Sequence, residues 1–515
     1  MGSSGDFALG NILFVLCSFL ALLTVVGWLS LFVCRGWQRL LPPLGLALMI
    51  GTPFLFFKIR EVDGEMIPII VWRSSPDPDE LLEVPPPVAA SDDEENMPIV
   101  DLATATAEDF PNFLGPNMAQ HVTDVELNRD WSAYPPKLVW EQSIGAGWCA
   151  FATRNGYAVT MEQRGEQELV TCYEIATGEL QWSHGVNTRY ETVLGGIGPR
   201  ATPTIDERGY VYANGATGIL RCINGNTGQL VWQADVLKQV GVDSEHDAAA
   251  VMYGRSNSPL VVDDYVVVAG GAGPDDAADR TAASLVAFNR DTGEVAWRGG
   301  DDQIGYASPI IGKLDGVRQV VSVNEATVSG HDPTNGNKLW QFPWGRPGAS
   351  AADSNNSQPI IVGDDRLFVS KSYGVGATLM EINQNNAGKW NVEEVWSDPT
   401  LLKTKFTNVI VHDGYVYGLS DGILECVELE TGEQQWKKGR FHQGQILGVG
   451  SVILVIDEKK GEVTMVEMTP RAYRKLGKFA ALETDKLWNH LSLYGKYLLV
   501  RDAQTAACWE LPLAD

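Results

Sequence analysis

Along most of this chain, apolar and polar residues alternate in short runs and do not recur at helical spacing. "ATPTIDERGYVYA", "NSPLVVDDYVVVA", "SQPIIVGDDRLFVS" and "TNVIVHDGYVYGL" each hold an apolar run, an Asp- or Gly-bearing turn and a second alternating run. A period of two, interrupted by turn residues, predicts two antiparallel strands. A second hairpin lies near each of these: "EIATGELQW", "NGNTGQLVW", "NRDTGEVAW", "DPTNGNKLW" and "ELETGEQQW". In these hairpins Gly178, Gly228, Gly293, Gly336 and Gly432 each stand four residues before a tryptophan. A glycine fixed in a hairpin turn supplies positive φ without strain. Each unit therefore supplies four short strands.

The aromatic markers are Trp140, Trp182, Trp232, Trp297, Trp340, Trp396 and Trp436, with Phe479 in the last place. Their spacing, about 40 to 65 residues, is that of a propeller blade with insertions. The expected fold is all-β, an eight-bladed β-propeller, with seven blades as the alternative count. "KLVWEQSI" reads as a blade without its beginning and "AACWELPLAD" as one without its end. Joined, they complete one unit, so the first and last strands are expected to share a sheet and leave no loose edge.

The N-terminal region breaks this pattern. "NILFVLCSFLALLTVVGWLSLFV", residues 11–33, has no charge, and a second apolar run, "LPPLGLALMIGTPFLFF", covers 41–57. At about 1.5 Å per residue, the first is long enough to span a bilayer. Residues 1–60 are read as a membrane anchor of one or two transmembrane helices. Residues 61–110 are rich in Pro, Asp and Glu and are read as a self-repelling tether, with Met66–Trp72 packing locally. The propeller is expected over 111–515. Orientation is nearly balanced: Arg35 and Arg39 in the connection favour export of the bulk of the chain, whereas Lys58 and Arg60 argue the other way.

Composition narrows the partners. The 515 residues carry a formal net charge of -26, which repels phosphate backbones and argues against a nucleic-acid partner. The seven cysteines include no CxxC and no adjacent pair, so zinc spacings are absent. Cys172, Cys222, Cys426 and Cys508 occupy one repeat position, where other units have Ala287 or Gly330. Such a position is a small buried slot, and packing is the expected role.

At "NRDTGEVAW", "NGNTGQLVW" and "EIATGELQW" the chain resembles the tryptophan-docking repeat of the PQQ-like propeller family, over about residues 135–513. That family comprises quinoprotein dehydrogenases and non-enzymatic relatives, among them the propeller lipoprotein of outer-membrane β-barrel assembly. The layout of apolar N-terminus, "FKIREVDGEMIPIIVW", "FPNFLGPN" and then propeller also resembles membrane-anchored PQQ-repeat proteins of planctomycete-type bacteria. The resemblance implies that each tryptophan packs on the turn of a neighbouring blade. It also implies two functional expectations. The first is a membrane-tethered scaffold for an envelope protein partner, at the cell membrane, with the propeller on the extracytoplasmic side and no cofactor. The alternative is an oxidoreductase holding pyrroloquinoline quinone and calcium on the axis. The vicinal disulfide of the enzymes is missing, and no catalytic aspartate in a matching context, and no metal set, is identifiable.

Residues leading into each innermost strand are expected to line the axial mouth. They include Arg200, Asn257, Tyr306, Ser308, Gln358, Lys405, Asn408, His442, Gln445, Asn489 and His490, with Trp148 as a stacking surface. Arg200, Lys405 and His490 would be donors to an anionic or quinone-like small molecule; wet channels lined by satisfied polar groups are the plainer alternative. Glu162 and Arg164 are expected to pair near the same rim.

Overall fold

A computed structural model describes residues 19–86, 100–271, 283–345 and 353–514. Two compact units emerge, residues 1–76 and 77–515.

In the second unit, eight sheets of four antiparallel strands follow one another. Blades 1 to 7 cover residues 152–187, 204–235, 260–299, 310–343, 360–398, 409–440 and 445–480. Blade 8 combines 492–510 with Lys137–Ser143, which pairs along Thr505–Glu510 as the outermost strand. The seven-blade count is thereby excluded. The strands form where the alternation requires them: Tyr157–Arg164 and Gln167–Glu174 are buried along their centres, whereas outer strands such as Gln434–Arg440 are mostly exposed.

The seams between blades are sealed by the repeated tryptophans. Trp140, Trp182, Trp232, Trp297 and Trp396 each donate Nε1–H to a backbone carbonyl of the next blade: Ile175 (2.8 Å), Gly225 (2.7 Å), Arg290 (2.9 Å), Pro333 (3.1 Å) and Leu429 (2.8 Å). Each ring lies on the turn glycine three residues further on. A Cβ at Gly178, Gly228, Gly293, Gly336 or Gly432 would come within 2.4–3.0 Å of the docked indole. These glycines have φ between +72° and +77°, so both the turn and the ring exclude a side chain. Cys172, Cys222 and Cys426 pair in register with Trp182, Trp232 and Trp436, and Cys508 with Trp140. All four thiols are free and buried. Burial pushes Cys222, Cys426 and Cys508 up to about 12, which leaves them unreactive.

Residues 100–110 depart from the tether reading. Leu102 is fully buried between blades 1 and 2, and its N–H is bound by Asn226 Oδ1 at 2.8 Å. Val100, Leu102 and Phe110 are apolar and buried here; the acidic run 91–96 lies outside the described residues. Phe110 pairs with Thr153 of blade 1, and Pro111 accepts from Ile205 of blade 2. His121–Val122 then adds a parallel fifth strand to the inner edge of blade 7. Between these points the chain dips into the channel, turning at Leu114, Gly115, Met118 and Gln120, all with positive φ. It plugs one end of the axis.

In the first unit, Gly36–Phe56 is a 21-residue apolar helix, 3-10 over Gly36–Leu40 and α over Leu41–Phe56. At about 1.5 Å per residue it is long enough to cross a membrane. Pro42 and Pro43 fall in the first turn of the α-helical part, where a missing N–H is tolerated. A shorter apolar helix is described over Phe19–Val33; the beginning of the first expected span, Asn11–Ser18, lies outside the described residues. Phe57–Val62 and Pro68–Trp72 form an antiparallel hairpin directly after the long helix.

Candidate functional site: an aromatic cavity on the propeller axis

The segments leading into the innermost strands converge on a cavity of about 110 Å³. Its walls are aromatic: Trp148 before blade 1, Tyr253 before blade 3, Tyr306 before blade 4, Phe406 before blade 6 and Trp488 before blade 8. Phe113, from the plug, also lines it and meets the His490 ring edge-on at 4.8 Å. Trp488 lies 5.1 Å from Trp148 and 4.9 Å from Phe406 between ring centroids. Lys486 Nζ sits 4.4 Å from the centre of Trp148 and 3.9 Å from that of Trp488. The faces that could cage an external cation therefore already hold a lysine.

Arg200 is the charged group of the lining. Its guanidinium lies 4.8 Å over Tyr190 and donates to the carbonyls of Gly198 (3.2 Å) and Gly195. Among the described residues no carboxylate pairs with it. Burial lowers its pKa from the usual value, yet an arginine stays protonated. Gly254 makes room for it, since a Cβ there would fall 2.5 Å from Arg200 Nη1. The loop is braced by Arg255, which is bound to Asp247 at 2.6 and 3.1 Å and to the carbonyls of Ala269 and Gly270.

His490 is pushed down to about 3 by burial, so it faces the cavity as a neutral ring. Gln120 Nε2 lies 3.4 Å from its Nδ1. Two buried polar atoms of the lining have no hydrogen-bond partner: Trp148 Nε1, a donor, and Gln358 Oε1, an acceptor.

The structure divides the expected lining residues into two groups. Trp148, Arg200, Tyr306, Gln358 and His490 line the cavity. Asn257, Ser308, Asn408, Gln445 and Asn489 do not; they bind the backbone of neighbouring blades. Asn257 Nδ2 donates to the carbonyls of Gly305 (3.3 Å) and Ala307 (2.6 Å). Asn489 Nδ2 does the same to Gly147 (3.2 Å) and Cys149 (2.8 Å). Ser308 Oγ accepts from Ser258 N at 2.8 Å, and Asn408 Oδ1 from Gln358 N at 2.6 Å. Gln445 joins Phe406 O and Trp488 O. A buried backbone group at a blade's inner end needs a partner, and these side chains supply it. Lys405 is outside the lining; its carbonyl accepts from Asn356 Nδ2 at 2.7 Å. His442 is also outside, with Nδ1 3.2 Å from Asp457 Oδ1. Glu162 and Arg164 form an ion pair at 3.2 Å, closed by the Tyr173 hydroxyl on Glu162 at 2.7 Å.

Sequence reading missed Phe113, Tyr253, Phe406, Trp488 and Lys486. Phe406 and Trp488 stand beside residues it did single out, and an aromatic preceding a lead-in polar residue was the available signal. Phe113 carried none, because its place depends on the plug's path.

A calcium–quinone complex needs carboxylate ligands. The lining contains no Asp or Glu, and no cluster of metal-ligating side chains occurs among the described residues. These residues do not fit that group.

A sequence family described as "Outer membrane protein assembly factor BamB" matches residues 131–438. The outer membrane protein assembly factor BamB of Shewanella oneidensis is 23% identical over 378 residues, covering 63% of this chain and 85% of that protein. Among solved structures, BamB from Moraxella catarrhalis aligns with a TM-score of 0.50 at 16% identity, over 73% of this chain and 98% of that one. The quinohemoprotein alcohol dehydrogenase of Comamonas testosteroni aligns with a TM-score of 0.56 at 13% identity, over 81% and 83%. At such identities the structures speak for the fold alone, while the family match covers more than half of the sequence. The chain belongs to the family of the outer membrane protein assembly factor BamB.

Proposed function

We propose that this protein is a membrane-tethered propeller scaffold of the cell envelope, with its propeller on the extracytoplasmic side, where it holds an envelope protein partner. The observation that carries this reading is the use made of the lead-in polar residues. Asn257, Ser308, Asn408, Gln445 and Asn489 tie blades together, and His490 is neutral with no carboxylate beside it in the lining. General acid–base chemistry needs a group that titrates near working pH within reach of a substrate; the cavity offers none. The family match supports a role among envelope proteins.

The test is crosslinking of the tagged full-length protein in intact cells, with crosslinked sites mapped by mass spectrometry. Reproducible crosslinks from propeller surface residues to one envelope protein are expected. Saturable binding of pyrroloquinoline quinone with calcium, accompanied by dye reduction on adding alcohols or sugars, would overturn the scaffold reading. Protease shaving of spheroplasts tests orientation, and a resistant propeller contradicts export.

A second reading, small-molecule binding in the cavity, rests on Arg200 and on the unpartnered Trp148 Nε1. Both are donors beside flat aromatic walls, which suits a planar anion. Titration with benzoate-like probes, read by tryptophan fluorescence, tests it; an unchanged curve in Arg200→Met would refute it.

A further inference from the structure

The hairpin Phe57–Trp72 has two unlike faces. Phe57 pairs with Trp72, Ile59 with Ile70 and Val62 with Pro68, and directly paired residues share a face. A bulge between Ile59 and Glu61 keeps Val62 in phase with them. One face is therefore Phe57, Ile59, Val62, Pro68, Ile70 and Trp72, without a polar side chain. Ile59, Ile70 and Trp72 are 44%, 60% and 56% exposed, and Met66 and Ile67 at the tip are exposed too. The other face is mixed, with Lys58 opposite Val71 and Glu61 opposite Ile69. The hairpin follows the apolar helix without a linker, Phe56 ending one and Phe57 beginning the other. Phe56, Phe57 and Trp72 form an aromatic cluster at that junction, with centroids 6.5 and 4.5 Å from Trp72. Arg73 closes it by donating to the Phe54 carbonyl at 2.9 Å.

We propose that this hairpin is a membrane-interface paddle, laying its apolar face into the headgroup region of the bilayer that the helix Gly36–Phe56 enters. The inference rests on that helix being a membrane span. Three observations select lipid as the occupant: continuity with the apolar helix, aromatic rings at the junction where a span meets headgroups, and a paired face without a charge, Lys58 and Glu61 lying opposite and the bulge residue Arg60 pairing with Glu61 at 3.7 Å. The paddle would fix the tilt of the span and the point at which the chain leaves the membrane.

The test uses the full-length chain in phosphatidylcholine vesicles, with Cys17 and Cys34 replaced by serine. Single cysteines at Leu48, Ile70 or Lys58 carry an environment-sensitive fluorophore, read with brominated lipids and with aqueous iodide. The expected result is strong quenching by deeply brominated lipid at 48, by shallow brominated lipid at 70, and by iodide at 58. Lipid quenching at 48 with iodide quenching at 70 would overturn the paddle while leaving the span. Absence of lipid quenching at 48 would remove the span and the paddle with it. Protection at 70 from both quenchers would mean that protein covers the face, and would also overturn the proposal.

Discussion

Blades 1 and 2 meet differently from blades 4 and 5. At the first seam, Trp182 lies on Gly228 and donates to the Gly225 carbonyl. At the second, Trp340 has no turn to dock on: it bonds Gln319 Oε1 of its own blade at 2.6 Å, and a Cβ at Gly388 would meet nothing. The cause is hairpin length. In blade 2 the turn begins soon after the Cys222–Trp232 pair. In blade 5 the strands continue past the Leu379–Trp396 pair to Gln384 and Trp390, carrying the turn beyond the tryptophan's reach. Trp340 packs instead in a cluster with Met380 and Ile382, against which Trp390 and Val392 also lie. One seam is closed by a ring on a glycine, the other by the apolar flank of a longer hairpin. A seam needs a sealed apolar contact, and the tryptophan–glycine pair is one way to make it.

The largest effect that probes this contrast is removal of the ring. Trp182→Ala should destabilise by about 3–5 kcal/mol in urea unfolding, the range for truncating a buried aromatic. Hydrogen exchange should then rise at the Asn224–Gln229 turn. Trp340→Ala should leave exchange in the blade 5 turn unchanged, and a rise there would break the comparison. Next come the glycines. Gly336→Ala places a methyl 2.4 Å from Trp297 Cε3 at φ +74° and should cost about 2–4 kcal/mol. Gly388→Ala, at the same φ but in open space, should cost about 1 kcal/mol, the backbone part alone. Equal losses would show that the docked ring adds nothing.

A graded effect comes from pH. Burial lowers His490 to about 3 and His184 to about 4, both below the unfolded value near 6.5. The unfolded chain therefore takes up protons that the folded one refuses. Stability is full above about pH 6.5 and should fall by about 1.4 kcal/mol per pH unit for His490, and by less for the partly exposed His184, as the pH drops toward 4. His490→Asn should flatten the urea midpoint between pH 6 and about 4 in proportion. A further effect is expected at Gln319. Its change to Leu strands Trp340 Nε1 and should cost about 1–3 kcal/mol at most, without loosening the seam between blades 1 and 2.

The docked seams are what made the fold legible. Because a tryptophan of one blade rests on the turn glycine of the next, a glycine recurs four residues before a tryptophan in hairpin after hairpin, and that recurrence let the blades be counted. Blade 5 was marked only by Trp396, because a longer hairpin preserves apolar area and abandons the motif. The cavity was half legible. Trp148, Arg200 and His490 stand where a lead-in residue must face the axis. Asn257 and Asn489 look identical in sequence, yet their amides turn sideways to backbone carbonyls. Polarity marks an inner end but does not say whether the group faces a ligand or the next blade. Phe113 arrives on a segment outside the repeats, which no periodicity could place.

The shared sheet of blade 8 also sets an order in time. Arg501 reaches the Gly145 carbonyl across 356 residues of sequence, and Lys137–Ser143 waits as long for its partner strand. During synthesis that strand is an open edge carrying exposed Leu138 and Val139, able to pair with any other edge it meets. Each blade completed in the meantime brings the true partner nearer without protecting the edge. The edge is closed only when Thr505–Glu510 pairs with Lys137–Ser143, so the protection that closure gives depends on two strands far apart in sequence.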